Sequence, residues 1–218
     1  MSPSRTSPSL PAPPSGPGAL SGFPRVTLGP EATLYRVARR GYGPWWFGNT
    51  GAGRFDLPAP EGTCYLAADP LAALLEILGP DRLGGAVADA LFATRVLHEL
   101  RLPAARSLAD LISRRTAGWG LTHEIHTLVP YELPRAWAGA LRAVGAEGVR
   151  YFLRHDPGAE VGYALFEAQG ERTDWPLGRE LVIDRALLDR LERETGIRTL
   201  PVPSSRELTF ASFGSETA

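Results

Sequence analysis

The sequence predicts a single α+β domain with a mixed sheet and flanking helices. Stretches with the two-residue period of strands and stretches with the helical period of about 3.6 residues both occur, without the regular alternation of a doubly wound sheet. With 218 residues, of which 44% are hydrophobic and 22% charged, the chain has the length and composition of one globular domain. We expect residues 1–22, rich in Pro and Ser, to be a disordered leader, residues 23–202 to form the domain and residues 203–218 to be a tail.

The composition argues against several classes of protein. A net charge of -1 does not favour binding to nucleic acid or to membrane surfaces through bulk charge. No segment has the ~20 apolar residues that cross a bilayer, and the amino-terminal stretch lacks the apolar core of a secretory signal. Cys64 is the single cysteine, so no disulfide can form within the chain. We therefore expect a cytoplasmic protein.

The first strands flank a long loop. Alternation over residues 34–37 (LYRV) predicts a strand, and a loop dense in glycine and aromatic residues follows over 40–55. A second strand, residues 62–67 (GTCYLA), places Tyr65 on the face opposite Cys64. We expect Cys64 in the core, where it would not act as a nucleophile.

A helix follows this second strand directly. Asp69 is suited to cap its amino terminus, and Pro70 fits the first helical position. Glu76 lies off the apolar stripe, above small alanine side chains, so we expect a carboxylate with open space in front of it. The stripe consists of Leu71, Leu74, Leu75 and Leu78.

The second half of the chain is predicted to contain three strands and three helices. The strands cover residues 90–97, 148–154 and 161–168. The helices cover residues 107–115, 133–145 and 184–197.

Arg54, Tyr65 and Glu76 follow one another at equal intervals and have side chains suited to one reaction. Cleavage of the nicotinamide–ribose bond needs a cation for the phosphates or ribose, a ring to stack on nicotinamide and a carboxylate to stabilise a ribosyl cation. Arg36, on the preceding strand, offers a second cation. The alternative is that Arg54 is a surface residue, that Tyr65 fills the core and that Glu76 is solvated.

Two parts of the sequence together resemble the RES domain family. The first is LYRV followed by GRFDLPAPEGTCYLAADPLAALLEIL, and the second is TLVPYELPRAWAGALRAVGAEGVRYFLRHDP followed by YALF. The resemblance covers roughly residues 33–166. It implies an ADP-ribosyltransferase-like fold and destruction of NAD+ by hydrolysis or phosphorolysis. It also implies a toxin that is neutralised by a helix-turn-helix antitoxin protein.

The resemblance carries family roles onto four positions of this chain. It implies that Arg36 is the strand arginine, Arg54 the turn arginine, Tyr65 the tyrosine that stacks on nicotinamide and Glu76 the carboxylate. Arg54, Tyr65 and Glu76 are therefore the candidate catalytic residues, and Arg36 is a candidate substrate-binding residue.

At one position the chain departs from the family pattern. The family serine belongs to a segment that reads GVRYFLR here, which places Leu153 at the serine position. Leucine can neither donate nor accept a hydrogen bond, so catalysis is weakened, the acceptor differs, or Arg154 or His155 takes over. We retain Arg154 as a candidate substrate-binding residue.

The loop 40–55 carries two further candidates. Its GNTGAG segment, residues 48–53, lacks the lysine and the Ser or Thr of a P-loop. Its glycines therefore serve either a tight turn or, at Gly53, close approach of the backbone to a ligand. The aromatic run 45–47 either fills the core or, through Trp46, lines a nucleotide pocket. Gly53 and Trp46 are both candidate substrate-binding residues.

The HEIH segment, residues 123–126, differs from a zinc-protease motif. In HExxH the two histidines lie one helical turn apart on the same face, whereas His123 and His126 are closer in sequence and have no obvious third ligand. A structural or surface role is favoured over a metal site.

These observations predict an enzyme that takes NAD+ as substrate and cleaves its nicotinamide–ribose bond. Water or inorganic phosphate would be the acceptor, and neither a metal nor a further cofactor is expected. Two alternatives remain open. One is transfer of ADP-ribose to a macromolecule, and the other is an NAD-binding module whose activity Leu153 impairs.

Overall fold

The computed structural model describes residues 10–79 and 85–201. The strands of this part are β1 (Arg25–Leu28), β2 (Leu34–Arg39), β3 (Trp46–Phe47), β4 (Glu61–Ala67), β5 (Ala86–Ala88), β6 (Arg95–Leu100), β7 (Arg106–Asp110), β8 (Gly148–Phe152), β9 (Val161–Ala168), β10 (Gly170–Glu171), β11 (Arg179–Leu181) and β12 (Arg198–Leu200). The helices are α1 (Pro70–Leu78), α2 (Ala90–Ala93), α3 (Glu132–Ala143) and α4 (Arg185–Thr195), with short 3-10 helices over Arg114–Trp119 and His123–His126.

One large mixed sheet organises the fold. Its strands follow the order β1-β7-β8-β9-β4-β2-β6-β11, in which β7 and β8 run parallel and the other neighbours antiparallel. Strands β3 and β10 form one additional two-stranded sheet, and β5 and β12 form another. A mixed sheet with a few helices confirms the predicted α+β class.

The two faces of β4 point into two different cores. Cys64 and Leu66 join the core that contains Trp45 and Phe47. Tyr65 and Ala67 face the core built on α1 and α3. Because side chains alternate along a strand, the predicted separation of Tyr65 from Cys64 is confirmed.

The sheet opens between β2 and β4. β4 pairs along its whole length with β9, and β2 pairs along its whole length with β6, but the register between β2 and β4 consists of Tyr35 opposite Ala67. Two neighbouring strands that join at one point leave space between them on either side of it. The cavity described below lies beside this junction.

The start of α1 agrees with the sequence prediction. The Asp69 side chain accepts hydrogen bonds from the backbone N–H groups of Leu71 and Ala72, at 2.8 and 3.1 Å, and so caps the helix. The predicted apolar stripe is buried, while Glu76 is half-buried. The strands at 148–154 and 161–168 and the helices at 133–145 and 184–197 also match β8, β9, α3 and α4.

The prediction of a disordered leader is corrected for residues 10–22. Leu10 and Leu20 are buried in the core beneath α3. The Trp137 and Trp119 indoles donate to the backbone carbonyls of Pro11 and Ala19, at 2.8 and 3.1 Å. A proline-rich segment has few unfolded conformations to lose, so a few apolar anchors are enough to dock it. Residues 1–9 of the predicted leader and 203–218 of the predicted tail lie outside the described residues.

Two secondary-structure predictions are also wrong in part. Residues 90–97 form a strand only from Arg95 onward, because the ALFA segment before it has high helical propensity and forms α2. Residues 107–115 begin as β7 and continue into a 3-10 helix. Leu108 and Ala109 are both fully buried because β7 is covered on both faces, and a run of buried apolar residues can mimic a helical period.

None of the helices within the described ranges has the length and apolar character needed to span a bilayer.

Candidate active site

A cavity of about 350 Å³ lies beside the junction of β2 and β4. β2, β4 and α1 contribute residues to it, as do the loop before β4 and the segment after β8. It brings together the predicted residues Arg54, Tyr65, Glu76, Gly53 and Arg154. The polar and aromatic part of the lining also includes Tyr35, Arg36, Tyr131, Tyr151 and His155, and Leu153 belongs to its apolar part.

Glu76 is attached to the segment that follows β8. Its Oε1 accepts a hydrogen bond from the backbone N–H of His155, at 2.8 Å. A backbone donor fixes one carboxylate oxygen without introducing a second charge. Glu76 also raises the pKa of Tyr151, after the larger effect of burial, so that phenol remains protonated and neutral.

Tyr65 has a fully engaged hydroxyl group. It donates to Oδ1 of Asp56 and accepts from the backbone N–H of Phe55, both at 2.8 Å. Burial, and then the Asp56 carboxylate, hold the pKa of Tyr65 well above its usual value. The two hydrogen bonds fix the plane of the ring, and the ring borders the cavity.

Asp56 is a site residue that the sequence reasoning missed. It is only 6% exposed, and its second oxygen accepts the backbone N–H of Gly53 at 2.9 Å. A Cβ at Gly53 would lie 2.2 Å from Asp56 Oδ1 and 2.4 Å from the Tyr65 hydroxyl, so only glycine fits there. A carboxylate three residues after a turn glycine is a spacing typical of side-chain-to-backbone bonds, and this signal could have found it.

Arg54 is buried at the wall of the cavity with 6% exposure. Its Nη1 donates to the carbonyl of Leu128 at 2.8 Å, and its Cζ lies 4.6 Å from the ring centroid of Tyr131. Burial lowers the pKa of Arg54, and the neighbouring charge of Arg154 lowers it further. Arg154 in turn donates from Nη1 to the Tyr131 hydroxyl at 3.0 Å.

The structure does not bring two predicted residues into the cavity in the expected way. Arg36 borders it, but the guanidinium donates to the carbonyls of Pro44 and Trp46, at 2.7 and 3.0 Å, and contacts the Cys64 sulfur on the other face of the sheet. Trp46 is 45% exposed and pairs with Glu171 between β3 and β10, away from the cavity lining. Its neighbours Trp45 and Phe47 are fully buried core residues.

Leu153 stands at the inner wall of the cavity. It is 5% exposed, and its backbone N–H donates to the carbonyl of Glu160 at 2.9 Å. A Cβ at Gly162 would lie 2.5 Å from Leu153 Cδ2, which shows how tightly the leucine packs against β9. The side chain belongs mainly to the core.

His123 and His126 lie on a 3-10 helix capped by Thr122. His126 is buried, and its ring packs edge-on against His123 and Phe152 at centroid distances of 5.0 and 5.2 Å. Its Nδ1 accepts the backbone N–H of Phe152 at 3.4 Å, and burial lowers its pKa to about 3. These contacts fit the structural interpretation. Within residues 10–79 and 85–201 no group of three or more His, Cys, Asp or Glu residues could hold a metal ion.

Fold and cavity together define a class: an α+β domain whose mixed sheet opens beside a cavity that carries arginine, tyrosine and glutamate. A model of the RES domain matches residues 33–180, and the chain therefore belongs to the RES domain family, as its sequence indicates. A solved chain of the M. tuberculosis MbcT–MbcA toxin–antitoxin complex has a similar fold. Its TM-score is 0.60 at 18% identity, and the match covers 77% of this chain and 92% of that chain. No protein in the curated set matches.

Proposed function

We propose that the protein cleaves the nicotinamide–ribose bond of NAD+. The observation that carries the proposal is the convergence of Arg54, Tyr65 and Glu76, from a loop, a strand and a helix, on one cavity. Membership of the RES domain family supports the same reading.

In the proposed reaction the C–N bond breaks and its electron pair leaves with nicotinamide, which becomes neutral. The ribose is left with oxocarbenium character, and Glu76 stabilises that positive charge. The Tyr65 ring stacks on nicotinamide, while Arg54 and Arg154 hold the anionic part of the substrate. An oxygen of water or inorganic phosphate then bonds to the ribose carbon, and a water acceptor loses a proton.

The pair of arginines in this proposal keeps Arg54 from the pair expected from the sequence and has Arg154 in place of Arg36. The guanidinium of Arg36 donates hydrogen bonds to two backbone carbonyls and to Cys64. These bonds hold the segment 44–46 in place, so the role of Arg36 is structural. Arg154, which lies beside Arg54 across Tyr131, replaces it as the second cation for substrate.

We further propose that the chain acts as a toxin with an antitoxin partner. The fold it shares with a chain of a toxin–antitoxin complex supports this assignment. The resemblance stated above implies a helix-turn-helix protein as the partner. Co-purification of such a protein, encoded beside this chain, would test the pairing.

NAD+ consumption by the purified protein tests the enzymatic proposal. We expect loss of NAD+ and release of nicotinamide with the wild type, and neither with Glu76→Gln. Assays with and without inorganic phosphate distinguish free ADP-ribose from a phosphorylated product and so name the acceptor. Equal NAD+ loss by both proteins would overturn the role of Glu76.

One observation favours a second candidate function. Leu153 is an apolar, packed side chain, and it stands at the position where the resemblance to the family implies a serine. An NAD-binding module with impaired catalysis would show binding by calorimetry and no release of nicotinamide.

A further inference from the structure

Tyr131 contacts two cations of the cavity at once. The face of its ring lies against Arg54, with Cζ 4.6 Å from the centroid, and its hydroxyl accepts from Arg154 Nη1 at 3.0 Å. The two arginines are far apart in the sequence, since Arg54 precedes β4 and Arg154 follows β8. Tyr131 is thus a bridge between them, located where α3 begins.

Within residues 10–79 and 85–201, the charges of these two cations are not neutralised by an ion pair. In the part of the chain that the structure describes, neither Arg54 nor Arg154 forms an ion pair. Glu76 lies close enough to raise the pKa of Arg54, but the two side chains form no ion pair with each other. Arg54 is buried and Arg154 is exposed, and their like charges repel each other across Tyr131, a repulsion that an anionic ligand would offset.

The hydrogen bonds of Arg54 also leave capacity for a ligand. Among the described residues its guanidinium makes one hydrogen bond, to the Leu128 carbonyl. Most of its N–H donors therefore remain for groups within the cavity, and guanidinium donors match pairs of phosphate oxygens in geometry. The pair Arg54 and Arg154 fits a ligand with two linked phosphates better than one with a single charge.

We infer that Tyr131 is a positioning residue that holds Arg54 and Arg154 as a pair for the diphosphate of a dinucleotide. The ring face fixes Arg54 through a cation–π contact, and the hydroxyl fixes Arg154. The inference rests on the proposed NAD+ substrate. Beyond that proposal, Arg54 and Arg154 recognise the diphosphate of the substrate, and Tyr131 sets the distance between the two cations.

Calorimetry with two probe ligands distinguishes a loss of arginine positioning from a general disturbance of the cavity. ADP-ribose carries the diphosphate without nicotinamide, and nicotinamide riboside carries the nicotinamide end without phosphate. We expect Tyr131→Phe, which keeps the ring and frees Arg154, to weaken ADP-ribose binding about tenfold. Tyr131→Leu, which removes both contacts, should weaken it about 30-fold or more. Binding of nicotinamide riboside should change less than about twofold in both variants.

Tyr163→Phe is the matched control. Tyr163 also lies next to an arginine, Arg150, which stands opposite it between β8 and β9, but Tyr163 lies outside the cavity lining. This variant should bind both probes as the wild type does. For NAD+ turnover, Tyr131→Phe should raise KM with little change in kcat, since a diphosphate contact is present in both ground and transition states.

The outcomes distinguish this inference from the proposed function. Selective loss of ADP-ribose affinity in the Tyr131 variants supports the inference even if the wild type cleaves no NAD+. Equal weakening of both probes would indicate a merely structural tyrosine and overturn it. Unchanged ADP-ribose affinity, or none in the wild type, would overturn it as well, while NAD+ cleavage would still stand or fall with Glu76.

Discussion

The backbone N–H of His155 donates a 2.8 Å hydrogen bond to Oε1 of Glu76, so the segment after β8 is attached to the carboxylate on α1. Glu76→Gln keeps an oxygen acceptor at this position but loses the charge, whereas Glu76→Ala loses both. We expect both variants to lose NAD+ cleavage by at least about 10²-fold. Glu76→Ala should in addition lower the free energy of unfolding by about 1 kcal/mol, because a partly buried donor loses its acceptor.

Thermal unfolding and nicotinamide release, measured on the two variants side by side, check this prediction. Equal melting temperatures would show that the bond from His155 contributes nothing to stability. Turnover retained in Glu76→Gln would remove the carboxylate from the mechanism.

The hydroxyl and the ring of Tyr65 have separable roles. Tyr65→Phe removes the bonds to Asp56 and to the Phe55 N–H, and we expect it to destabilise the protein by about 1–3 kcal/mol while retaining the ring for stacking. Its kcat/KM should fall less than that of Tyr65→Leu, in which the ring is lost. Steady-state assays of both variants, together with urea unfolding, provide the comparison.

A double-mutant cycle tests the pairing of Tyr65 with Asp56. The cycle combines Tyr65→Phe with Asp56→Ala, and we expect a coupling energy of about 0.5–3 kcal/mol, because the two side chains share one partly buried hydrogen bond. Strictly additive effects on the free energy of unfolding would mean that each residue is held by other contacts.

Sequence periodicity predicted the local features of the site well. The alternation in β4 separates Tyr65 from Cys64, and the Asp69 cap fixes where α1 begins and hence where Glu76 lies. Both features depend on residues that are close together in the chain, so they can be predicted from a local sequence pattern.

Periodicity could not predict which side chains of two neighbouring strands lie on the same side of the sheet. Arg36 follows the same alternation as Leu34, but its face is decided by the register of β2 on β4, where Tyr35 stands opposite Ala67. That register puts Arg36 on the side of Cys64, away from Tyr65. A strand pairing is a tertiary contact, and the sequence of one strand does not contain it.

The contacts of Tyr131 could not be predicted from a local sequence pattern either. Its partners Arg54 and Arg154 lie far from it in sequence, and each contact forms only when three separate segments pack together. Residues 10–22 illustrate the converse, because their composition indicates disorder although Leu10 and Leu20 are anchored by distant core residues.

The role of Leu153 can be isolated with two substitutions of similar size. Leu153→Ala and Leu153→Ser both remove a packed side chain that is 5% exposed, and we expect each to lower the free energy of unfolding by about 2–5 kcal/mol. Because the side chain faces the core more than the cavity, NAD+ turnover of the two variants should agree within about threefold.

The ratio of these two turnover rates is the informative quantity, since both variants share the same loss of packing. A Leu153→Ser enzyme at least about tenfold faster than Leu153→Ala would show that a hydroxyl at this position assists the reaction. That result would favour the impaired NAD-binding module as the description of the natural chain.

His126 makes stability depend on pH in a predictable direction. Its pKa is about 3 in the folded protein, against the usual 6.5, because burial and the neighbouring His123 disfavour the charged ring. Between these values the unfolded chain binds more protons than the folded one, so the free energy of unfolding falls as pH decreases. The stabilisation is fully present above about pH 6.5 and is lost at up to ~1.4 kcal/mol per pH unit below it.

His126→Asn keeps an acceptor for the Phe152 N–H and removes the titrating group. We expect urea unfolding of this variant to depend less steeply on pH between about 5 and 6.5, where most carboxylates are already ionised in both states. Phe152→Leu is the control, because it loses the ring contact but keeps the histidine, and so should be less stable at every pH with the wild-type slope. An unchanged slope in His126→Asn would mean that this histidine is not the source of the acid sensitivity, and that its ring is protonated in the folded protein at higher pH than its burial indicates.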